Sequence, residues 1–231
     1  RQCAIIRHSM KFMIKLAIFD LDGTLIDTLE DIAGACNHAL EAGGFPSRRL
    51  DEYNMLVGRG VFNLCRNALP EGCRDEKTVK ATYERFRAYY DEHICDRSRP
   101  YPGIYDMLDR LTEKGISLAV ASNKYQAGTE FLIGRLFGKY SFVNVLGQRE
   151  GKPIKPDPEI VNEVMAAIGD ITADEVVYCG DSDVDMQTGI NAGVRTIGVT
   201  WGFRTREELA AYDPWLIADT ADEVCNAIMN N

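Results

Sequence analysis

The stretch Ile14-Lys15-Leu16-Ala17-Ile18-Phe19-Asp20-Leu21-Asp22-Gly23-Thr24-Leu25 decides how the chain is read. Its first half is an apolar run of strand length with little polar alternation. A strand of that composition needs cover on both faces, as in a parallel sheet. Its second half breaks abruptly into two carboxylates and an Asp-Gly turn. Similar apolar runs recur at 116–121, 142–146, 175–179 and 195–199. Helical patterns lie between them. Ile104, Met107, Leu108 and Leu111 follow Pro102-Gly103 and stop at Gly115, while Ile160, Val161, Val164 and Ile168 end at Gly169, a start and a stop that suit helices. Strand and helix alternating in this way predict an α/β fold, a doubly wound, Rossmann-like parallel sheet with right-handed crossovers.

Residues 27–100 interrupt the alternation. Leu29, Ile32, Ala33, Cys36, Ala39 and Leu40 mark a helix that stops at Gly43-Gly44. Val79, Tyr83, Phe86, Tyr90 and Ile94 recur at helical spacing and form one face of a longer helix. This aromatic stripe reads as core packing rather than a cofactor box. The expected organisation is a core built from 14–26 and 101–231, an inserted all-α cap over 27–100, and a tail over 1–13 that leads into the first strand.

Composition narrows the function. The 231 residues are 45% hydrophobic and 26% charged, an ordinary globular balance that argues against extensive disorder. With 26 basic and 35 acidic residues the net charge is -9, so nucleic acid and anionic membranes are poor partners. Seven cysteines without CxxC spacing fit neither a disulfide framework nor a zinc site, and they suit a reducing, cytoplasmic setting. No apolar run approaches the roughly 18 residues of a membrane span.

In open α/β sheets, ligands bind beyond the carboxyl ends of the strands, so the residues just past each apolar run matter most. The first run ends in Asp20-Leu21-Asp22-Gly23-Thr24, the second in Ser122-Asn123, and the fourth in Gly180-Asp181-Ser182-Asp183-Val184-Asp185. Lys155, in Lys155-Pro156-Asp157-Pro158, adds a cation before a helix. The acidic alternation at 181–185 is not a calcium loop, because Met186 and Ala192 stand where that loop needs Gly and Glu. Gly58-Arg59-Gly60 lacks the preceding strand and third glycine of a dinucleotide fingerprint.

Together these pieces resemble the haloacid dehalogenase superfamily from about residue 14 to the end. Asp20 to Leu25 matches its first motif, Ser122 its second, Lys155 its third and Gly180 to Asp185 its fourth, and the helical insertion is similar to its helical cap. Within the superfamily the chain most resembles phosphoglycolate phosphatases, on Gly180 to Asp185, Asn191-Ala192-Gly193, Gly198-Val199-Thr200-Trp201-Gly202 and the Lys155-Pro-x-Pro stretch.

The resemblance implies Mg²⁺-dependent hydrolysis of a small phosphorylated metabolite through an aspartyl-phosphate on Asp20. It makes Asp22 the general acid and base, and assigns Mg²⁺ to the Asp20 carboxylate, the Asp22 carbonyl and Asp181, with Asp185 in support. Ser122 and Lys155 would hold the phosphoryl group. An acid at position 22 favours an alkoxide leaving group over a halide, which leaves without a proton. Lys152 competes with Lys155, but the Lys-Pro-x-Pro match favours the latter. Thr24 either bonds the site or caps a turn. Asn123 and Lys124 either face the pocket or begin a helix, and Asp183 either joins the site or caps the next helix. Arg59 is either a clamp for a substrate carboxylate or a solvated loop residue. Pyrophosphate hydrolysis, or sugar-phosphate hydrolysis or mutation, is the alternative chemistry, and a non-catalytic phosphate-binding regulator is a remote third.

Overall fold

A computed structural model describes residues 13–231, and the tail expected over the first dozen residues lies outside the described residues. The chain runs from β1 (Leu16–Phe19) through β2 (Ile26–Asp27) into α1 (Leu29–Ala42), α2 (Val61–Ala68) and α3 (Glu76–His93), and returns through β3 (Arg99–Pro100). It continues as α4 (Ile104–Glu113), β4 (Ser117–Tyr125), α5 (Gln126–Phe137), β5 (Phe142–Gln148) and α6 (Glu159–Ile168). β6 (Val176–Gly180), α7 (Asp183–Ala192), β7 (Arg195–Val199), α8 (Arg206–Ala210), β8 (Leu216–Ala218) and α9 (Ala221–Met229) complete it.

The main sheet has six strands in the order β5-β4-β1-β6-β7-β8, and every neighbouring pair is parallel. This is the α/β architecture that the alternating pattern predicts. Successive β1 side chains point to opposite faces. Leu16 and Ile18 pack with Ala119, Val176 and Tyr178 against Ile160, Val161 and Val164 of α6. Ala17 and Phe19 join Val120 and Val177 against Ile104 and Leu108 of α4 and Val224 and Ile228 of α9. Burying a side chain of this size contributes roughly 1.5–3 kcal/mol, so β1, central and covered on both faces, anchors the sheet.

β2 and β3 pair antiparallel, Ile26 with Pro100 and Asp27 with Arg99. The chain therefore leaves the sheet layer and re-enters it at one place, with α1 to α3 between. Asp31 of α1 is buried at this junction and accepts from the Arg97 amide at 3.0 Å, the Ser98 amide at 2.8 Å and the Ser98 hydroxyl at 2.6 Å. Phe86 and Tyr90 of α3 are buried with Ile32 and Leu64, as the stripe predicts.

Six cysteines fall among the described residues and none is disulfide-bonded. Among the described residues no helix is long and apolar enough to cross a membrane.

The sheet order reverses direction beside β1, with β4 to one side and β6 to the other. A crevice opens at such a switch point. The ends of β1, β4 and β6 meet there.

Candidate active site

Asp20 comes directly after β1, and its amide is tied to Cys179 O at 2.9 Å. The next residues wrap into a tight loop in which Leu21 O accepts from the amides of Thr24, Leu25 and Ile26. Gly23 adopts φ +84°, the left-handed region that a side chain disfavours. A Cβ there would also run into the Asp181 carboxylate, as would one at Gly202 on the opposite side. Two loops can therefore close on Asp181 from both flanks.

Three carboxylates collect beneath this loop. Asp20, Asp181 and Asp185 are buried, with one oxygen of each within 4.8 Å of the others. Asp181 accepts from Thr24 Oγ1 at 3.0 Å and from the Phe203 amide at 2.8 Å. Asp185 sits in the first turn of α7 and accepts from the Ser182 amide at 3.0 Å and the Ser182 hydroxyl at 2.6 Å. That reciprocal capping fixes the carboxylate at a helix N-terminus, where negative charge is favoured.

Lys155 is the cation within this group. Its Nζ lies 3.0 Å from Asp20 Oδ1 and 2.7 Å from Asp185 Oδ1. It also donates to the Tyr178 hydroxyl at 2.9 Å, which in turn donates to Ala121 O at 2.9 Å.

Crowding sets the electrostatics. Burial, then the charge of Asp185, lifts Asp20 to about 7 despite the opposing pull of Lys155. Burial, then Asp185 and Asp20, pushes Asp181 well above the usual carboxylate range. Burial would lower Lys155, but Asp185 and Asp20 outweigh it and hold the lysine well above its ordinary value. Asp20 Oδ1 remains without a well-aligned hydrogen-bond donor even with Lys155 beside it. Three formal negative charges against one positive, all from hard oxygen donors, fit a divalent cation such as Mg²⁺.

Asp22 points elsewhere. Its carboxylate accepts from Thr28 Oγ1 at 2.8 Å and pairs with Lys124 Nζ at 3.0 and 3.3 Å. Lys124 also donates to the Tyr90 hydroxyl of α3 at 2.8 Å. Asp20, Asp22, Ser122, Asn123 and Lys124 line a cavity together with Ile32, Val57, Leu64, Phe86 and Tyr90.

The remaining expected residues take different places. Thr24 bonds Asp181. Asn123 lines the cavity and bridges the chain: its side chain donates to Gly58 O at 3.0 Å and to Lys155 O at 3.1 Å, and accepts from the Lys155 amide at 2.9 Å. Ser122 Oγ accepts from the Lys124 amide at 3.2 Å. Arg59 does not line the cavity. Its flanking glycines do, both at positive φ, and that backbone sends the guanidinium outward to Asp183 at 2.5 Å, with the arginine side chain 56% exposed. Asp183 opens α7 but does not cap it; Ser182 does.

The sequence pattern alone does not single out Tyr178, Arg204 or the Phe203 amide, and it gives Tyr90 a core role only. Tyr178 had a signal, since a buried tyrosine in an apolar strand needs a partner for its hydroxyl. Arg204 had none. It is buried, lies 3.4 Å from Asp183 and donates to the carbonyls of Asn54 and Val57, tying the helical insertion to the sheet layer beside the cavity.

Comparison with known proteins gives the family. The profile of the haloacid dehalogenase-like hydrolases matches residues 17–199. Phosphoglycolate phosphatase of Agrobacterium fabrum is 36% identical over 207 residues, covering 88% of each chain. The crystal structure of a provisionally assigned phosphoglycolate phosphatase from Lactobacillus delbrueckii superposes with a TM-score of 0.89 at 33% identity, over 96% of this chain and 100% of that one. CbbY from Rhodobacter sphaeroides, solved in complex with phosphate, gives 0.74 at 25% identity, over 95% and 100%. With matches spanning most of its length, the chain belongs to the haloacid dehalogenase-like hydrolase family.

Proposed function

We propose that the chain is a Mg²⁺-dependent phosphatase that hydrolyses small phosphate monoesters, with 2-phosphoglycolate as its substrate. The observation that carries the reaction is the buried group of Asp20, Asp181, Asp185 and Lys155 at the mouth of the switch-point crevice. The substrate assignment is supported by relatives such as the phosphoglycolate phosphatase of Agrobacterium fabrum. Six unbridged cysteines fit a cytoplasmic setting.

In this reading Asp20 attacks phosphorus, and the bond from phosphorus to the leaving oxygen breaks. Covalent catalysis of this kind splits one difficult displacement into two easier ones. Asp22, which lines the same cavity as Asp20, gives its proton to the leaving oxygen and then takes one from the water that hydrolyses the aspartyl-phosphate. A positioned acid and base contributes typically about 10²–10⁴-fold. Ser122 and Lys155 hold and neutralise the phosphoryl oxygens, and donors aimed at developing charge are worth most in a dry site. Asp20, the Asp22 carbonyl and Asp181 would hold Mg²⁺, with Asp185 behind them, and the ion supplies charge neutralisation that lets an anion approach a phosphate dianion. The insertion, tied down by Arg204 and Asn123, keeps water from the cavity.

The deciding experiment compares kcat/KM for 2-phosphoglycolate, sugar phosphates, nucleotides and pyrophosphate in the presence of Mg²⁺. The expected result is 2-phosphoglycolate at the head of the series. A low rank for it overturns the substrate, and pyrophosphate or a sugar phosphate at the head would identify the replacement.

Mg²⁺ should also stabilise the fold without any substrate. At a concentration about 100-fold above Kd, binding to the native state adds about 2.7 kcal/mol. For a chain of this size that raises Tm by roughly 5–11 °C. The gain is expected to shrink between pH 7.5 and pH 5, because protons compete for Asp20 once pH drops below its elevated value of about 7. Differential scanning calorimetry with Mg²⁺ and with EDTA measures it. An equal rise in Asp181→Asn would show that the ion sits elsewhere.

A further inference from the structure

We propose that Lys124 and Tyr90 form the leaving-group subsite: the ammonium and the phenol together grip a carboxylate on the group that departs, and so select carboxylate-bearing phosphomonoesters. The proposal rests on the phosphatase reading and names the residues that set its substrate.

Two lysines lie close to the carboxylates of the site, and their duties differ. Lys155 is enclosed between Asp20, Asp185 and Tyr178, on the phosphoryl side. Lys124 lines the cavity itself. Its side chain is only 2% exposed, so its charge acts with little screening by solvent. Arg59, the other candidate for an anion, is turned out to Asp183 and away from the cavity lining.

Position agrees with this division. Lys124 Nζ lies 3.0 and 3.3 Å from the two oxygens of Asp22, the group that protonates the leaving oxygen. An anion two bonds beyond that oxygen, as in an O–CH₂–COO⁻ unit, therefore falls within reach of the same ammonium.

Tyr90 supplies the second contact. It comes from α3 and lines the cavity beside Ile32, Val57, Val61, Leu64, Phe86 and the glycines Gly58 and Gly60. Its oxygen accepts from Lys124 at 2.8 Å, which leaves the hydroxyl hydrogen to donate to a ligand oxygen. The apolar side chains beside it offer no hydrogen-bond partner to a polyol. A site built around buried polar groups rejects an analogue that leaves them unpaired.

The test uses a matched pair of esters, 2-phosphoglycolate and 2-hydroxyethyl phosphate, which differ by a carboxylate against a hydroxymethyl group. With Mg²⁺ present, kcat/KM is measured for both in the wild type, Lys124→Met, Lys124→Arg and Tyr90→Phe. The wild type is expected to favour the carboxylate ester strongly. Lys124→Met should cut that preference about 10- to 100-fold, the scale of a lost hydrogen bond to a charged group. Tyr90→Phe should cut it by less, and Lys124→Arg should restore part of what Met removes. Equal losses on both esters in Lys124→Met and Tyr90→Phe would mean that the pair only orients Asp22, and this overturns the subsite while the phosphatase stands. A wild type that cleaves both esters equally overturns the subsite and the substrate assignment together. A wild type that cleaves neither ester also overturns the subsite and the substrate assignment, and the phosphatase reading falls with them only if sugar phosphates, nucleotides and pyrophosphate are left intact as well. Tyr90→Phe keeps the ring volume, so the preference can still be read if Lys124→Met does not fold.

Discussion

Asp20→Asn is expected to lower phosphate release from 2-phosphoglycolate by at least about 10⁴-fold, the scale seen when a nucleophile is deleted from a set of groups that act as a unit. The amide keeps the shape of the side chain but has no charge with which to attack phosphorus. Acid-quenched wild-type protein should carry covalent phosphate during turnover, and the variant should carry none. Its fold should not suffer. Burial and the Asp185 charge already push Asp20 to about 7, so a neutral side chain removes repulsion from the cluster, while Lys155 keeps Asp185 as its partner at 2.7 Å. Without added metal the variant should therefore melt no lower than the wild type. Phosphate release within about tenfold of the wild type would mean that Asp20 is not the attacking group.

Much of the fold can be read from hydrophobic periodicity, and the places where reading fails have physical reasons. β1, β4, β6 and β7 carry apolar runs because strands inside a parallel sheet are covered on both faces, while β5, at the sheet edge, is only partly buried. The helices α4 and α6 repeat their apolar residues at helical spacing. β8 has three residues at the sheet edge, and β2 and β3 have two each, too few for any period to register. β2 and β3 nonetheless mark where the helical insertion leaves and rejoins the sheet.

The site divides in the same way. Asp20, Ser122, Lys155, Asp181 and Asp185 stand at or near strand ends, where chain topology brings them together, and motif spacing could single them out. Tyr90 could not be separated from Phe86 by pattern, since both lie on one face of α3. Periodicity states which face turns inward, but not that a phenol at its end meets Lys124. Lys124 was ambiguous for a related reason: β4 runs on to Tyr125, so this residue still belongs to the strand and faces the cavity. Arg59 and Asp183 are 124 positions apart. Each looked available for the site, and their mutual pairing depends on how the insertion sits against the sheet.

Lys155→Met should cost the most stability of any single change in the site. It leaves Asp20, Asp181 and Asp185 buried without the cation that two of them touch. Removing one partner of a buried ion pair costs typically about 3–5 kcal/mol. For a chain of this size that lowers Tm by roughly 6–20 °C. The direction of the shifts fixes the sign of the pH dependence. Asp20 and Asp181 are already raised in the folded state, and losing Lys155 raises Asp20 further. An acid raised in the folded state costs nothing while both states hold the proton. Its cost grows as pH climbs from the unfolded value near 4 through the folded value. The wild-type lysine stays charged throughout this range, since its own value is raised as well. The deficit of the variant should therefore be small near pH 4.5 and largest near pH 8, measured without metal. Mg²⁺ at pH 8 should recover part of it by supplying the missing positive charge. Adding Asp185→Asn should recover part by a separate route, and the double-mutant cycle gives the coupling. A deficit independent of pH and indifferent to Asp185→Asn would assign Lys155 to packing instead of charge balance.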